Sequence, residues 1–481
     1  MTTTWEPVIG IEVHVELSTK SKMFCGCEVS FGGEANTKVC PTCLGLPGAL
    51  PVANSVAMDW IVKIGLALQC QVSERSVFHR KNYFYADLPK NYQVSQFDLP
   101  VCRDGWLDVT VGDESRRIGI ERAHMEEDTG KSLHQGNGGR IHTATSTLLD
   151  FNRSGVPLVE IVSRPDLRSA TEARAYAQDL RNLVAELGVS DARMEAGSIR
   201  FDANVSVRPV GSGGLGTKVE IKNMNSFRSL ERAIDSEIDR QVALLEQGKK
   251  VKQETRHWDE EAGATRSMRS KEESSDYRYF AEPDLLPLVF AAQQVETLRA
   301  GLPELPADRR ARLEGMGVPS HTARTLARSD LELRRTFEEA VRLGANPVSA
   351  ANWVAGELTA VIRRLEGATL VDGAALLGLI KMTEEGRLSS SAAKEVLLEM
   401  VASGDSAEVV AARLDLLQIS DTSALEAVVA EMLESQPEAV ERYRSGEQKV
   451  LGFLVGMVMK ATTGKADPKL VNELLRRQLE T

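Results

Sequence analysis

Residues 8–17 read Val-Ile-Gly-Ile-Glu-Val-His-Val-Glu-Leu, and this stretch constrains the fold more than any other. Ile9, Ile11, Val13, Val15 and Leu17 take the odd positions; Gly10, Glu12, His14 and Glu16 take the even ones. Alternation of period two sends the two sets to opposite faces of a strand. One face belongs in a core. The other carries two carboxylates and an imidazole, about 7 Å from one to the next. Like charges in a row repel unless water, a cation or a substrate separates them. The polar face is therefore either solvated or one side of a site. Matching polar faces elsewhere in the chain would decide between the two.

Such faces recur. Residues 117–131, Arg-Ile-Gly-Ile-Glu-Arg-Ala-His-Met-Glu-Glu-Asp-Thr-Gly-Lys, begin as a strand and end on the acids Glu126, Glu127 and Asp128. An acidic triplet is a surface turn or a set of oxygen ligands for a hard cation such as Mg²⁺. Gly136–Gly139 then suggests a mobile loop. In Pro157-Leu-Val-Glu-Ile-Val the apolar run is continuous, as in a strand buried on both faces, and Glu160 is its only charge. A carboxylate in that setting must be paired, protonated or cation-bound. Ile199–Arg208 alternates like the opening strand, with Arg200, Asp202, Asn204, Ser206 and Arg208 on one side. The loop Gly211–Gly216 returns it antiparallel into Lys218-Val-Glu-Ile-Lys222.

Helices punctuate these strands. Asp59–Leu68 has helical spacing, and Ser169 opens a second helix with Glu172 as its capping-box partner. Asn223-Met-Asn-Ser226 leads into a third, with Phe227, Leu230, Ile234, Ile238 and Leu245 on one side. The order predicts an α+β domain, an antiparallel sheet with helices on its apolar face and an open polar cradle on the other. Arg80-Lys-Asn-Tyr-Phe-Tyr85 and Leu88-Pro-Lys90 add basic residues beside aromatics, suited to a phosphate and a base or to an ordinary strand edge.

Cys25-Gly-Cys27 and Cys40-Pro-Thr-Cys43 form two close pairs separated by a loop. That spacing suits a tetrahedral thiolate site for structural Zn²⁺, with no position left open for catalysis. Cys70 and Cys102 stand alone and read as packing residues. From about Ala307 the pattern is helical, with Asn352, Trp353 and Glu357 in one helix near Ser349. The stretch 406–481 reads as a small bundle. Net charge is −11, which excludes broad non-specific affinity for nucleic acid. Yet Arg442–Arg477 holds eight basic residues against Glu447, Asp467 and Glu473. That window could meet phosphate, or be a solvated helix face. Neither a leader-like N-terminus nor a run near 20 apolar residues is present, so a cytoplasmic protein is expected.

Taken together, Ile9-Gly-Ile-Glu12-Val-His14-Val-Glu16-Leu, Arg80–Tyr85, His124-Met-Glu-Glu-Asp128, Pro157–Val162 and Asp276-Tyr-Arg-Tyr-Phe280 resemble the GatB family, along the whole chain and in its domain order. The family supplies the B subunit of tRNA-dependent Asp/Glu amidotransferases. The resemblance implies ATP- and Mg²⁺-dependent activation of the side-chain carboxylate of Glu-tRNA(Gln) or Asp-tRNA(Asn). It implies an amidase A subunit that delivers ammonia and a small C subunit. It also implies a cradle similar in fold to the catalytic domain of glutamine synthetase. Residue by residue, it assigns Mg²⁺ to His14, Glu127 and Glu160, with Glu12 beside them. Lys81 becomes the contact to phosphate or acceptor end, and Lys90 lies near where ammonia comes in. Glu12, His14, Lys81, Glu127 and Glu160 are thus the expected catalytic set. Some family members lack the cysteines, so zinc at Cys25, Cys27, Cys40 and Cys43 rests on their spacing alone. The expected domains are a cradle over 1–292 containing the zinc loop 25–43, a helical domain over 293–408, and a tRNA-touching tail over 409–481.

Overall fold

A computed structural model describes residues 4–30, 32–112, 114–135, 144–269, 274–365, 371–418, 422–462 and 465–479. The glycine-rich stretch Gly136–Gly139 lies outside the described residues. The chain divides into two compact units, Met1–Leu305 and Pro306–Thr481.

The strands of the first unit, in chain order, are β1 (Trp5–Glu16), β2 (Gln71–Val72), β3 (Arg75–Ser76), β4 (His79–Asn82), β5 (Tyr92–Ser95), β6 (Cys102–Val111), β7 (Glu114–Glu127) and β8 (Lys131–Gln135). There follow β9 (Ser146–Asp150), β10 (Pro157–Ser163), β11 (Ile199–Pro209), β12 (Val219–Lys222), β13 (Thr255–Asp259), β14 (Ala264–Arg269), β15 (Phe280–Ala281) and β16 (Leu288–Val289). Nine of them form one sheet in the order β14-β13-β12-β11-β1-β10-β7-β6-β2. The opening strand sits at its middle, flanked antiparallel by β10 and β11. One neighbouring pair departs from the expected antiparallel pattern: β12 and β13 run parallel. A helix over Phe227–Glu246 lies between them in the chain and carries the crossover that a parallel pair needs.

The odd residues of β1 do what their alternation demands. Ile9, Ile11, Val13, Val15 and Leu17 are buried, and each such side chain contributes about 1.5–3 kcal/mol of transfer free energy. They pack with helices α1 (Ser55–Ala67), α2 (Ala170–Glu186) and α3 (Phe227–Glu246) in one continuous core. Cys70 and Cys102 belong to it as packing residues. Ser169 caps α2, accepting the Glu172 N–H at 3.1 Å. The return bond of a capping box is shifted: the Glu172 carboxylate accepts the Arg168 N–H at 2.7 Å rather than that of Ser169. Ser226 caps α3 by accepting the Ser229 N–H. Helix α4 (Ala292–Ala300) packs on α1, so the first unit runs on past residue 292 to Leu305.

A small sheet of β15, β4 and β5 stands beside the large one, and β5 meets β7. Among its described residues the named elements of the second unit are all helices, and they form two apolar clusters, one from Leu313 to Ala411 and one from Leu425 to Leu479. Its single irregularity among described helices is a π-turn over Trp353–Leu358. No helix is long and apolar enough to cross a membrane among the described residues.

Candidate functional site

The even residues of β1 meet partners from three other strands. Register sets His14 opposite Glu160 of β10 and Arg200 of β11, and Glu160 opposite His124 of β7. The His14 Nε2 lies 3.6 Å from Glu160 Oε2, and His124 Nε2 lies 3.4 Å from that same oxygen. The His124 Nε2 is also 3.4 Å from Glu126 Oε1. One donor atom each from His14, Glu126 and Glu160 falls within 4.8 Å of the others. Glu160, the lone charge in its apolar strand, is thus paired by two imidazoles.

Glu126 is held by several groups at once. Ser95 Oγ donates to it at 2.6 Å, Gln93 Nε2 at 3.0 Å, and the Lys81 ammonium stands 3.7 Å away. Gln93 is itself oriented, since it also donates to the Glu127 carbonyl and accepts from Tyr83. Lys81 also lies over the Tyr277 ring, 5.3 Å from its centroid.

Charge explains how so many acids share a buried face. Burial would raise Glu126, but Lys81 and His124 hold it down at about 2. Burial would likewise raise Glu160, yet the two imidazoles hold it well below the usual carboxylate range. Burial lowers His124, and Glu160 and Glu126 outweigh it, setting the imidazole at about 9. His14 is raised for the same reason, by Glu160. Lys81, despite its burial, is pushed well above the ordinary lysine range, chiefly by Glu126. Next along the face, burial pushes Glu16 up to about 8, with Asp128 adding to the rise. Asp128 resists burial and sits at about 2 because Arg200, 2.7 Å away, and Arg153 face it.

Glu12 lies on this face as expected and accepts from Asn204 Nδ2 at 2.8 Å. Asp202, beside it in register, pairs with Lys222 at 2.7 Å. Glu127 does not join the others. Its carboxylate meets Lys90 and accepts the Val94 N–H at 3.0 Å, on the far side of β7. The reason is strand parity: Ala123 and Met125 point into the core, so residue 127 follows them while His124 and Glu126 face the cradle. That alternation was present in the sequence, and it puts His124 and Glu126 on the face that carries His14 and Glu160. Arg200 was readable as a polar-face residue of its alternating strand, but Gln93, Ser95 and Arg153 carried no such signal, because only the fold brings them here.

The four loop cysteines also converge, their sulfurs within 4.8 Å of one another. All are free of disulfides. The Cys25 hydrogen bond, the Cys40 N–H at 3.1 Å and the Lys22 ammonium at 3.7 Å bring the Cys43 thiol down to about 4. A set of four sulfurs, one already a thiolate, fits a closed tetrahedral Zn²⁺ site. An imidazole nitrogen with two carboxylates fits a harder divalent ion that keeps positions for other ligands.

A polar sheet face backed by helices, followed by an all-helical region, is the architecture of a cradle enzyme with an appended helical unit. Residues 7–296 match the family model described as the GatB/GatE catalytic domain, and residues 335–479 match that described as the GatB domain. The chain belongs to the GatB family. It is 49% identical to a protein of Carboxydothermus hydrogenoformans, each covered over 99% of its length. It is 51% identical to one of Moorella thermoacetica, over 99% of this chain and 100% of that one. It is 50% identical to one of Thermosynechococcus vestitus, over 99% and 97%. All three are named as the B subunit of an aspartyl/glutamyl-tRNA(Asn/Gln) amidotransferase.

Proposed function

We propose that this chain is the B subunit of a cytoplasmic tRNA-dependent amidotransferase. It converts the side-chain carboxylate of Glu-tRNA(Gln) or Asp-tRNA(Asn) to an acyl phosphate with ATP, and then to the amide. The observation that supports this most is the convergence of His14, Glu126 and Glu160, with Lys81 beside them, on one face of the sheet. A substrate carboxylate oxygen attacks the γ-phosphorus, and ADP leaves. Ammonia then attacks the acyl carbon and phosphate leaves. Both steps need charge balance and alignment more than covalent help. In keeping with that, ammonia production falls to another chain, an amidase A subunit, which assembles with this chain and a small C subunit.

His14, Glu126 and Glu160 would hold Mg²⁺. Such an ion supplies positive charge against the phosphates and the attacking carboxylate. This chain's own groups do the rest. Lys81, kept protonated by Glu126, meets phosphate oxygens or the acceptor end. Ser95 and Gln93 fix the Glu126 carboxylate, so that it presents one orientation. Arg200 and Arg153 hold Asp128 ionised at the edge of the face. Lys90, behind β7, lies near where ammonia comes in. In the second unit, the basic residues of the window Arg442–Arg477 would meet the tRNA body; in the first, Cys25, Cys27, Cys40 and Cys43 would hold zinc.

The test is ADP release by the purified three-chain complex, compared across Glu-tRNA(Gln), Asp-tRNA(Asn) and no tRNA. Release should require one or both charged tRNAs. Equal release without tRNA, or release by this chain alone, would overturn the reading in favour of a stand-alone hydrolase.

A further inference from the structure

Behind the cradle a cavity of about 140 Å³ opens between the cysteine loop and β7, and Cys25, Cys43, Gly45, Phe24, Lys90 and Glu127 are among its walls. Lys90 is nearly buried there and paired with Glu127. Two points on the loop touch Lys90, one at its ammonium and one at its stem. Phe24, the residue before Cys25, puts its ring centroid 5.9 Å from the Lys90 ammonium. Gly45, two residues after Cys43, lies against the stem itself. A Cβ on Gly45 would come within 2.4 Å of Lys90 Cγ and 3.3 Å of its Cα, so backbone as well as side chain would have to move.

Each contact is rigidly attached to one cysteine pair. Gly45 hangs on a tight turn in which the Leu44 N–H donates to the Cys40 carbonyl, the Gly45 N–H to Thr42 and the Leu46 N–H to Pro41. Phe24 is tied to the other pair, where the Lys22 N–H donates to the Cys27 carbonyl. The loop between the pairs has little core of its own. Beyond the second pair Leu46, Leu50 and Val52 are exposed, so the turn that carries Gly45 has little burial to hold it, whereas Phe24 is seated in the core.

We propose that the thiolate cluster is the clamp that positions Lys90. An ion shared by Cys25, Cys27, Cys40 and Cys43 closes the two halves of the loop on the lysine and keeps it against Glu127. The cysteines are then a positioning element for the cradle, acting through Gly45 and Phe24. The proposal rests on reading the cysteines as a metal site.

The test is lysine reactivity in the complete complex. The purified complex is treated with a small amine-acylating reagent before and after its thiolate metal is stripped, and modified lysines are mapped by mass spectrometry. Acylation of Lys90 should rise severalfold on stripping and fall again when Zn²⁺ is restored. Lys222, paired with Asp202 on the cradle face, is the control and should not change. Gly45→Ala should raise Lys90 acylation with the metal still in place. Unchanged Lys90 reactivity in both the stripped complex and Gly45→Ala overturns the clamp while leaving the metal site standing. A complex that purifies with no metal on its cysteines overturns the metal reading, and the clamp with it.

Discussion

The two donor clusters of the first unit are built in opposite ways. The cysteines lie within 19 residues of one another, from Cys25 to Cys43, on a loop with almost no core. His14, Glu126 and Glu160 come from three strands that only the sheet makes neighbours, over a continuous core. A local soft-ligand cluster needs its ion to have a shape. A cluster set into a sheet has its shape before any ion arrives, because strand register places each donor. The first should therefore lose structure when its ion goes, and the second should lose only chemistry.

The largest effect that would test this contrast is on the reaction. Glu160→Gln and Glu126→Gln should each reduce amidation by on the order of 100-fold or more, since each removes charge where charge develops. Thermal stability should fall as well, because each carboxylate is a buried partner of His124 and Glu126 also faces Lys81. Glu127→Gln should leave divalent-ion binding at wild-type level, measured with Mn²⁺ by electron paramagnetic resonance. If Glu127→Gln lost the ion while Glu126→Gln kept it, the parity argument at β7 would be wrong.

Stripping the cysteine metal should act the other way round. The melting temperature of the complex should fall by several degrees, because ion binding that favours the folded loop is removed. Mn²⁺ binding at the cradle should persist. Loss of both together would mean that the sheet cluster is less preformed than its register implies.

A smaller effect should appear with pH in the chelated protein. His124 is raised from 6.5 to about 9 in the fold, against the pull of burial, by Glu160 and Glu126. A group raised on folding contributes stability that is full below its unfolded value and lost as pH climbs through the folded one. Denaturant midpoints should hold below pH 6.5 and decline towards pH 9, by on the order of 3 kcal/mol at most. On the acid side Glu126, lowered from 4.5 to about 2, contributes stability that is lost as pH falls through that interval. His124→Gln should flatten the alkaline decline; if the slope survives, the imidazole is not its source.

This contrast also explains what could be read in advance. The cysteine loop was legible because its geometry is encoded in spacing. The buried strand around Glu160 was legible because a charge in an apolar run has few outcomes. The central strand was legible from period two alone. The choice between Glu126 and Glu127 needed one more step, the parity set by Ala123 and Met125. Ser95, Gln93 and Arg153 stayed hidden, since their roles depend on which strands become neighbours. The parallel pairing of β12 with β13 stayed hidden for the same reason. Local periodicity says which face a residue takes, and says nothing about what stands opposite.

The smallest effect asks how much the sheet cluster owes to the helices behind it. Ser169 caps α2, whose apolar side packs under the sheet, and its hydroxyl accepts the Glu172 N–H at 3.1 Å. Ser169→Ala should cost about 1 kcal/mol of stability, the usual worth of such a cap. Its effect ends within the first turn, because Arg168 keeps its own bond to Glu172. Between α2 and the ion donors lie the buried residues of β1 and β10, which strand pairing already holds in place. Denaturation should therefore report the loss while the Mn²⁺ signal stays unchanged. A shift in Mn²⁺ affinity with Ser169→Ala would show that the helix layer, and not strand register alone, sets the distance between His14 and Glu160.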